Sequence, residues 1–254
     1  MSESSGSVRV RMRVAYDGGP FHGFARNPDV RTVQGDLETA LAEVLRHPVT
    51  LSCAGRTDRG VHARGQVVSF DADAARFDAE GLARALNRML APEIAVDLVQ
   101  EVSPDFDARF SCTGRTYRYH VLDRPTPDPL IGHVTWHVRE PLDLAAMNVA
   151  SDEIIGSHDF TTFSKRNKSR PDESFVREVR RAGWTRTGPV ARFEVTAGAF
   201  THQMVRSLVG LFVEIGRGRR RAAEMGEALR ARDRAAAPSP APGRGLILWN
   251  AHYD

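Results

Sequence analysis

From Val8 to Tyr16 the chain alternates. Val8, Val10, Met12, Val14 and Tyr16 fall on one side of a period of two, with Arg and Ala between them. That spacing predicts a half-buried strand. The pattern breaks at "YDGGPFHGF", where the glycines and Pro20 predict a loop. It resumes at a helical period. Thr32 predicts the cap of a helix over 33–46, with Val33, Leu37, Leu41, Val44 and Leu45 on one face. Strands are predicted around Leu51 and over "QVVSF", a helix after Asp78 with Leu82, Leu86 and Met89 inward, and a strand over Ile94–Val102 that ends at Ser103-Pro104.

A second half begins near Phe110. A strand is predicted over 115–122, with aromatic and basic residues interleaved, then a loop marked by Pro125, Pro127 and Pro129. "HVTWHV" predicts a short strand and Asp143 opens a helix through Ile155. "GSHDFTTFSKRNKSRPDES" is polar and predicts irregular chain. Strands over 176–187 and 190–197 join through Thr187-Gly188-Pro189, a hairpin. "HQMVRSLVGLFVEIG" is the strongest helix, with Met204, Leu208, Leu211, Phe212 and Ile215 inward and Gly216 as its stop. A short helix over 222–232, an extended linker "AAAPSPAPGRG" and a closing strand with Leu246, Leu248 and Tyr253 complete the chain.

Strands and helices mix without the regular alternation of a doubly wound parallel sheet. The expected class is α+β, with helices on one face of a sheet. Each half carries a strand-helix-strand pattern. The expected domains are residues 8–108 and residues 109–254.

Bulk properties narrow the function. The 254 residues, 41% of them hydrophobic, suffice for one large core or two small ones. No apolar run reaches the roughly 18 residues of a membrane span. Met1 to Ser7 is polar and lacks the apolar core of a signal peptide. Cys53 and Cys112 are too few for a disulfide scaffold or a cysteine-ligated metal. A cytoplasmic protein is expected. The net charge is +3, and of 35 basic residues only Lys165 and Lys168 are lysine. The arginine excess fits either a GC-rich genome or phosphate and base recognition, where the planar fork is useful; composition does not choose.

Several chemistries drop out. His133 and His137 have a helical ligand spacing, but on a strand they lie about 13 Å apart. There is no H-E-x-x-H, no phosphate-binding G-x-x-x-x-G-K-[ST] and no G-x-S-x-G. The expectation is no metal and no cofactor. What remains is "CAGRTDRGVHARGQVVSF", in which one carboxylate, Asp58, stands among Arg56, Arg59 and Arg64. A turn residue is one reading, since Asp suits turns flanked by glycine. The other is a carboxylate kept ionised by guanidinium groups, able to act as nucleophile or base. In "GRTYRYH", Tyr117 and Tyr119 share one strand face and Arg118 takes the other. They are either packing residues or a ring on which a nucleobase stacks. Arg206 lies opposite the apolar stripe of its helix. Arg217, Arg219, Arg220 and Arg221 form a run that is first a solvated surface and second a phosphate contact.

"AGRTDRGVHARGQVVSF" closely resembles the signature of the tRNA pseudouridine synthase A family. "RVAYDGGPFHGF", "RTVQGDLETAL", "FDARFSCTGRTYRYHV", "GSHDFTTFSK", "VREV", "AFTHQMVRSLVGLFVEIGRG" and "APGRGLILW" resemble its other segments, in the family's order and over nearly the whole chain. One departure is Gly23-Phe24-Ala25, where many members read Gly-Trp-Gln; the aromatic bulk stays and the indole donor is lost. The resemblance implies two ferredoxin-like α/β halves sharing one mainly antiparallel sheet, with an active-site cleft between them. It implies a homodimer acting on the anticodon stem-loop of tRNA, at uridines 38, 39 and 40, without a cofactor. Asp58 corresponds to the catalytic aspartate, Arg206 to the arginine that pairs with it and Tyr117 to the tyrosine that packs on the target uracil. Arg56 corresponds to the arginine that helps displace the base, and Arg59 and His62 are expected beside it in substrate binding. Three other readings stay open: a synthase with a different RNA target, a non-catalytic RNA-binding module, and a metal-dependent nuclease, which would need the scattered His and Asp residues to converge.

Overall fold

A computed structural model describes residues 6–166 and 172–253. The part of the polar stretch at 167–171, and residues 1–5 of the N-terminal segment, lie outside the described residues. In chain order the first elements are β1 (Ser7–Tyr16), α1 (Val33–Leu45), β2 (Ser52–Cys53), β3 (His62–Asp73), α2 (Ala79–Leu90) and β4 (Ile94–Val102). There follow β5 (Gly114–Asp123), β6 (Trp136–Val138), α3 (Leu144–Asp152), β7 (Gly156–Asp159), β8 (Val176–Thr187), β9 (Val190–Ala197), α4 (Met204–Gly216), α5 (Glu224–Ala231) and β10 (Leu246–His252). The class is α+β; β1–β3, β1–β4, β2–β3, β5–β9, β7–β8 and β8–β9 pair antiparallel and β5–β6 pairs parallel.

The chain divides into two units. One runs to Thr113 and takes back the segment from Leu248; the other is Gly114–Ile247. In the first, β1 pairs with both β3 and β4, and β2 pairs with β3. The order β4-β1-β3-β2 on a β-α-β-β-α-β chain is ferredoxin-like. Alternation on β1 decides what faces inward. Val10, Met12, Val14 and Tyr16 are buried, as are Leu37 and Leu41 of α1 and Leu82 and Leu86 of α2. Truncating any of these leucines to alanine is expected to cost about 2–5 kcal/mol. The opposite β1 positions use their arginines locally. Arg13 makes two 2.6 Å bonds to Asp97, Arg9 pairs with Asp71, and the Arg11 guanidinium lies over the Phe106 and Tyr253 rings. Thr32 caps α1 by accepting from the Gly35 N–H at 3.2 Å, while Asp78 holds the cap position of α2 without a side-chain bond.

In the second unit the strand order is β5-β9-β8-β7, with β6 on β5. The sequence predicts irregular chain over β7; Gly156, Ser157, His158 and Asp159 gain strand geometry only by pairing with β8. The helix predicted through Ile155 stops at Asp152. α4 is buried almost all round: of its thirteen residues only Arg206 and Glu214 are not. Trp184 stacks on Phe193, and Phe212 of α4 closes on both rings. Gly216 is not a left-handed stop. It ends the helix where a side chain would strike Met147 Sδ at 2.5 Å, and Gly218, with φ +70°, turns the chain. The Ala/Pro segment is a strap docked on α4 rather than a free linker. Ser239 O lies 2.5 Å from where a Gly210 Cβ would be, and Ala241 is buried.

Candidate active site

Asp58 lies in the connection from β2 to β3, and its position is set by its neighbours' backbone. Ser52↔Ser69 and Cys53↔Val68 fix the register, and the Ala54 N–H donates to Val67 O at 2.8 Å. The buried amide of Gln66 grips the next residue from both sides: its Nε2 donates to Gly55 O at 2.6 Å and its Oε1 accepts from Gly55 N at 3.4 Å. Thr57 is buried, with its hydroxyl 2.8 Å from Tyr16 Oη and its carbonyl accepting from Phe24 N–H at 3.0 Å. The Val61 N–H closes a turn on Asp58 O at 3.1 Å, and Gly60 supplies the positive φ of +74° within it.

The first glycine loop is the other wall of this connection. A Cβ on Gly18 would meet the Val61 carbonyl at an impossible distance, and one on Gly23 would stand 2.9 Å from Thr57 O. Two backbones therefore touch where any side chain would part them. His62 is buried, and its Nδ1 lies 3.0 Å from both Gly18 N and Asp17 Oδ1. With a hydrogen on Nδ1 it donates to Asp17, and without one it accepts from Gly18; either way the ring ties the two loops together. Phe24 is fully buried with its ring 6.1 Å from Tyr16.

Asp58 is half-buried, while Arg56 and Arg59 are exposed and form no ion pair among the described residues. The Arg64 guanidinium lies 4.8 Å from the Trp249 ring centre. The first unit thus gathers Asp58, Arg56, Arg59 and His62 on one connection. Sequence reasoning missed several residues that hold it. Glu38 is buried on α1, and its carboxylate accepts from Arg26, Gln34 and the Leu51 N–H, joining three segments behind the loop. Its only signal was a carboxylate beside Leu37 and Leu41 at the edge of an apolar stripe. Gln66 and Thr57 gave no local signal at all.

The second unit carries Tyr117 and Arg206. Tyr117 is buried, edge-on to Phe200 at 5.0 Å. Tyr119 on the same face is structural: fully buried, it donates to Pro242 O at 2.8 Å, and its ring touches Gly245. Burial pushes the Tyr119 hydroxyl far above its ordinary pKa, against the pull of Arg206 and Arg244. On the opposite face Arg118 is paired with Glu194 at 2.6 Å. Arg206 is held by the strap: its Nε donates to Ala241 O at 2.7 Å, and its own carbonyl accepts from Ala241 N at 2.9 Å. The run after α4 is neutralised. Arg217 and Arg219 both pair with Glu140 and Glu214, Arg220 with Glu224, and Arg221 with Glu224 and Glu227.

Among the described residues no group of three His, Cys, Asp or Glu side chains is placed to hold a metal ion, and no helix is long and apolar enough to cross a membrane.

The chain resembles known proteins. Residues 12–111 and 150–254 match the family model of tRNA pseudouridine synthase. The tRNA pseudouridine synthase A of Exiguobacterium sp. is 38% identical over 246 residues, spanning 97% of this chain and 98% of the relative. That of Klebsiella pneumoniae is 39% identical, spanning 97% and 92%. That of Halalkalibacterium halodurans is 40% identical, spanning 94% and 90%. A chain in a solved Cbf5-Nop10-Gar1 complex aligns at TM-score 0.32 with 14% identity, over 80% of this chain and 54% of that one, a likeness too weak to inform the site. The chain belongs to the tRNA pseudouridine synthase family.

Proposed function

We propose that the protein isomerises uridine to pseudouridine in the anticodon stem-loop of tRNA, at positions 38, 39 and 40, with Asp58 as the reacting carboxylate. Family membership supports the reaction and the tRNA substrate. The observation that carries the residue assignment is the connection around Asp58, whose flanking residues are clamped by Gln66, Tyr16, Phe24 and two glycines while its arginines face outward.

The reaction breaks N1–C1′, turns the uracil and joins C5 to C1′. The hydrogen on C5 is lost and N1 gains one, so atoms and electrons balance within the nucleotide. An ionised carboxylate starts this in either of two ways, by attack at C1′ or by taking the C2′ proton, and both need the anion held in one orientation. In this reading Arg206 supplies the positive charge that keeps the carboxylate ionised. Tyr117 offers its ring to the uracil. Arg56 fills the space of the displaced base, since a stacked base hides its glycosidic bond, and Arg59 contacts phosphate. His62 sets the loop that carries Asp58, Arg56 and Arg59. The enzyme works as a cytoplasmic homodimer.

The test is pseudouridine mapping of tRNA incubated with pure protein. Asp58→Asn keeps shape and loses the anion. The expected result is pseudouridine at the anticodon arm from the natural chain, none from Asp58→Asn, and similar tRNA affinity for both. Turnover by a clean Asp58→Asn preparation overturns the assigned role.

A further inference from the structure

The second unit carries an open cavity of about 560 Å³ whose lining includes Lys165, Arg166, Gln203, Arg232, Asp233, Arg234 and Pro240. Its charge is unbalanced: four cations face one lining carboxylate. That carboxylate is occupied, because Asp233 Oδ1 accepts from the Ala235 N–H at 2.9 Å. The cations arrive from separate places in the chain: Lys165 and Arg166 after the turn at Thr161–Phe163, Arg232 at the end of α5, and Arg234 in the next turn. Lys165 has no ion pair among the described residues and is exposed. Arg232 reaches Asp159 at 3.3 Å, yet its side chain stays 68% exposed. Arg234 spends its donors on the strap, at Ala237 O and Pro238 O, and Arg232 shares its charge with Asp159, so Lys165 and Arg166 are the cations left in full for a ligand, with Arg232 beside them.

The backbone marks the same place. Among the described residues four non-glycine positions have positive φ, and two of them, Gln203 at +64° and Arg232 at +49°, line this cavity. Side chains adopt that conformation at a cost, and such residues concentrate at binding sites. Gln203 makes no side-chain capping bond at the start of α4, so its amide adds a neutral donor to the wall.

We propose that this cavity is a phosphate site, and that its occupant is a backbone phosphodiester of the RNA substrate outside the target nucleotide. Guanidinium and ammonium groups converging on an open, roomy hollow suit a phosphate oxygen cluster. An RNA strand brings such groups at regular intervals with its own counterions to release. The wall is also continuous with the support of Arg206: Pro240 precedes Ala241, which brackets Arg206, and Gln203 starts its helix. A phosphate seated here braces the first turn of α4. The proposal rests on the tRNA substrate named above.

The experiment measures tRNA transcript affinity by anisotropy across a salt series, for the natural chain, Lys165→Gln and Arg166→Gln/Arg232→Gln. Lys165→Gln removes a side chain with no ion pair among the described residues, so it tests the site without threatening the fold. The paired variant is expected to raise Kd roughly tenfold and to flatten log K against log salt by about 0.7–0.9 per lost phosphate contact; Lys165→Gln does part of both. Arg220→Gln, in the neutralised run, leaves affinity unchanged. Inorganic phosphate as competitor separates the sources of the ligand. It is expected to displace tRNA more readily from the natural chain than from the paired variant. Phosphate that saturates the natural chain without displacing tRNA assigns the cavity to a free anion and overturns the RNA occupant, and an unchanged Kd and slope overturn the site itself. Cavity-dependent binding without any pseudouridine formation breaks the proposed activity alone, whereas full activity with cavity-independent binding breaks this proposal alone.

Discussion

The chain has two arginine-rich stretches that look alike in sequence and differ in space. In the connection 54–64, Arg56 and Arg59 face outward without ion pairs among the described residues, and the backbone is held by neutral contacts from Gln66, Tyr16, Phe24, Gly18 and Gly23. In the run 217–221 each of four arginines meets at least one carboxylate from Glu140, Glu214, Glu224 or Glu227. The first stretch uses hydrogen bonds and close packing for structure and leaves the charge of Arg56 and Arg59 exposed. The second uses its charge on itself. A count of arginines does not measure the positive charge offered to RNA, because a paired guanidinium has less counterion to release and its carboxylate repels phosphate.

Substitutions that break this contrast rank by size. The largest effect belongs to Asp58→Asn, expected to lower single-turnover rate by more than about 10³-fold with tRNA affinity nearly kept; a rate within tenfold of the natural chain contradicts the role. Gly18→Ala comes next. Its methyl drives the glycine loop off the Val61 carbonyl, costing about 1–3 kcal/mol of stability by overpacking and slowing the chemistry as the Asp58 turn shifts. Thermal melts and single-turnover rates measure both, and a silent substitution would show that the two loops need not touch. Arg56→Gln with Arg59→Gln is smaller and acts on binding: the slope of log K against log salt should fall by about 1–2. The matching pair in the run, Arg220→Gln with Arg221→Gln, should leave that slope where it was. Equal slopes for the two pairs would erase the difference between the stretches.

The smallest effect concerns acid. Burial pushes the Asp107 carboxyl up, but the N–H groups of Phe110 and Arg109, the Ser52 hydroxyl and Arg9 together hold it below its ordinary pKa. Ser52 begins β2, which leads into the Asp58 connection. A carboxylate depressed on folding stabilises the protein fully above its unfolded pKa of about 3.9 and loses that contribution as pH falls through the lower folded value. The melting-temperature gap between the natural chain and Asp107→Asn should therefore be widest near neutral pH and close below about pH 3.9. A gap that is constant with pH would mean that Asp107 acts by shape alone.

The sequence by itself determined the elements wherever local periodicity was strong. β4, β8 and β9 have the bounds that alternation and turn residues predicted, and Thr32 caps α1 as read. The aspartate among arginines, and the motif order that resembles one family, were also legible, because both are runs of adjacent residues. Only the tertiary structure decided the rest. β7 exists because β8 pairs with it, α4 is enclosed on nearly every side, and Tyr119 serves the strap through Pro242 rather than facing a ligand. Glu38, Gln66 and Thr57 became part of the site's support only when Leu51, Gly55 and Tyr16 were brought to them. The cavity of Lys165, Arg166 and Arg232 draws on positions more than sixty residues apart in a chain of 254. Periodicity reports which face of one element is apolar. Which charges are left over depends on distances between elements, and those are fixed only when the cores close.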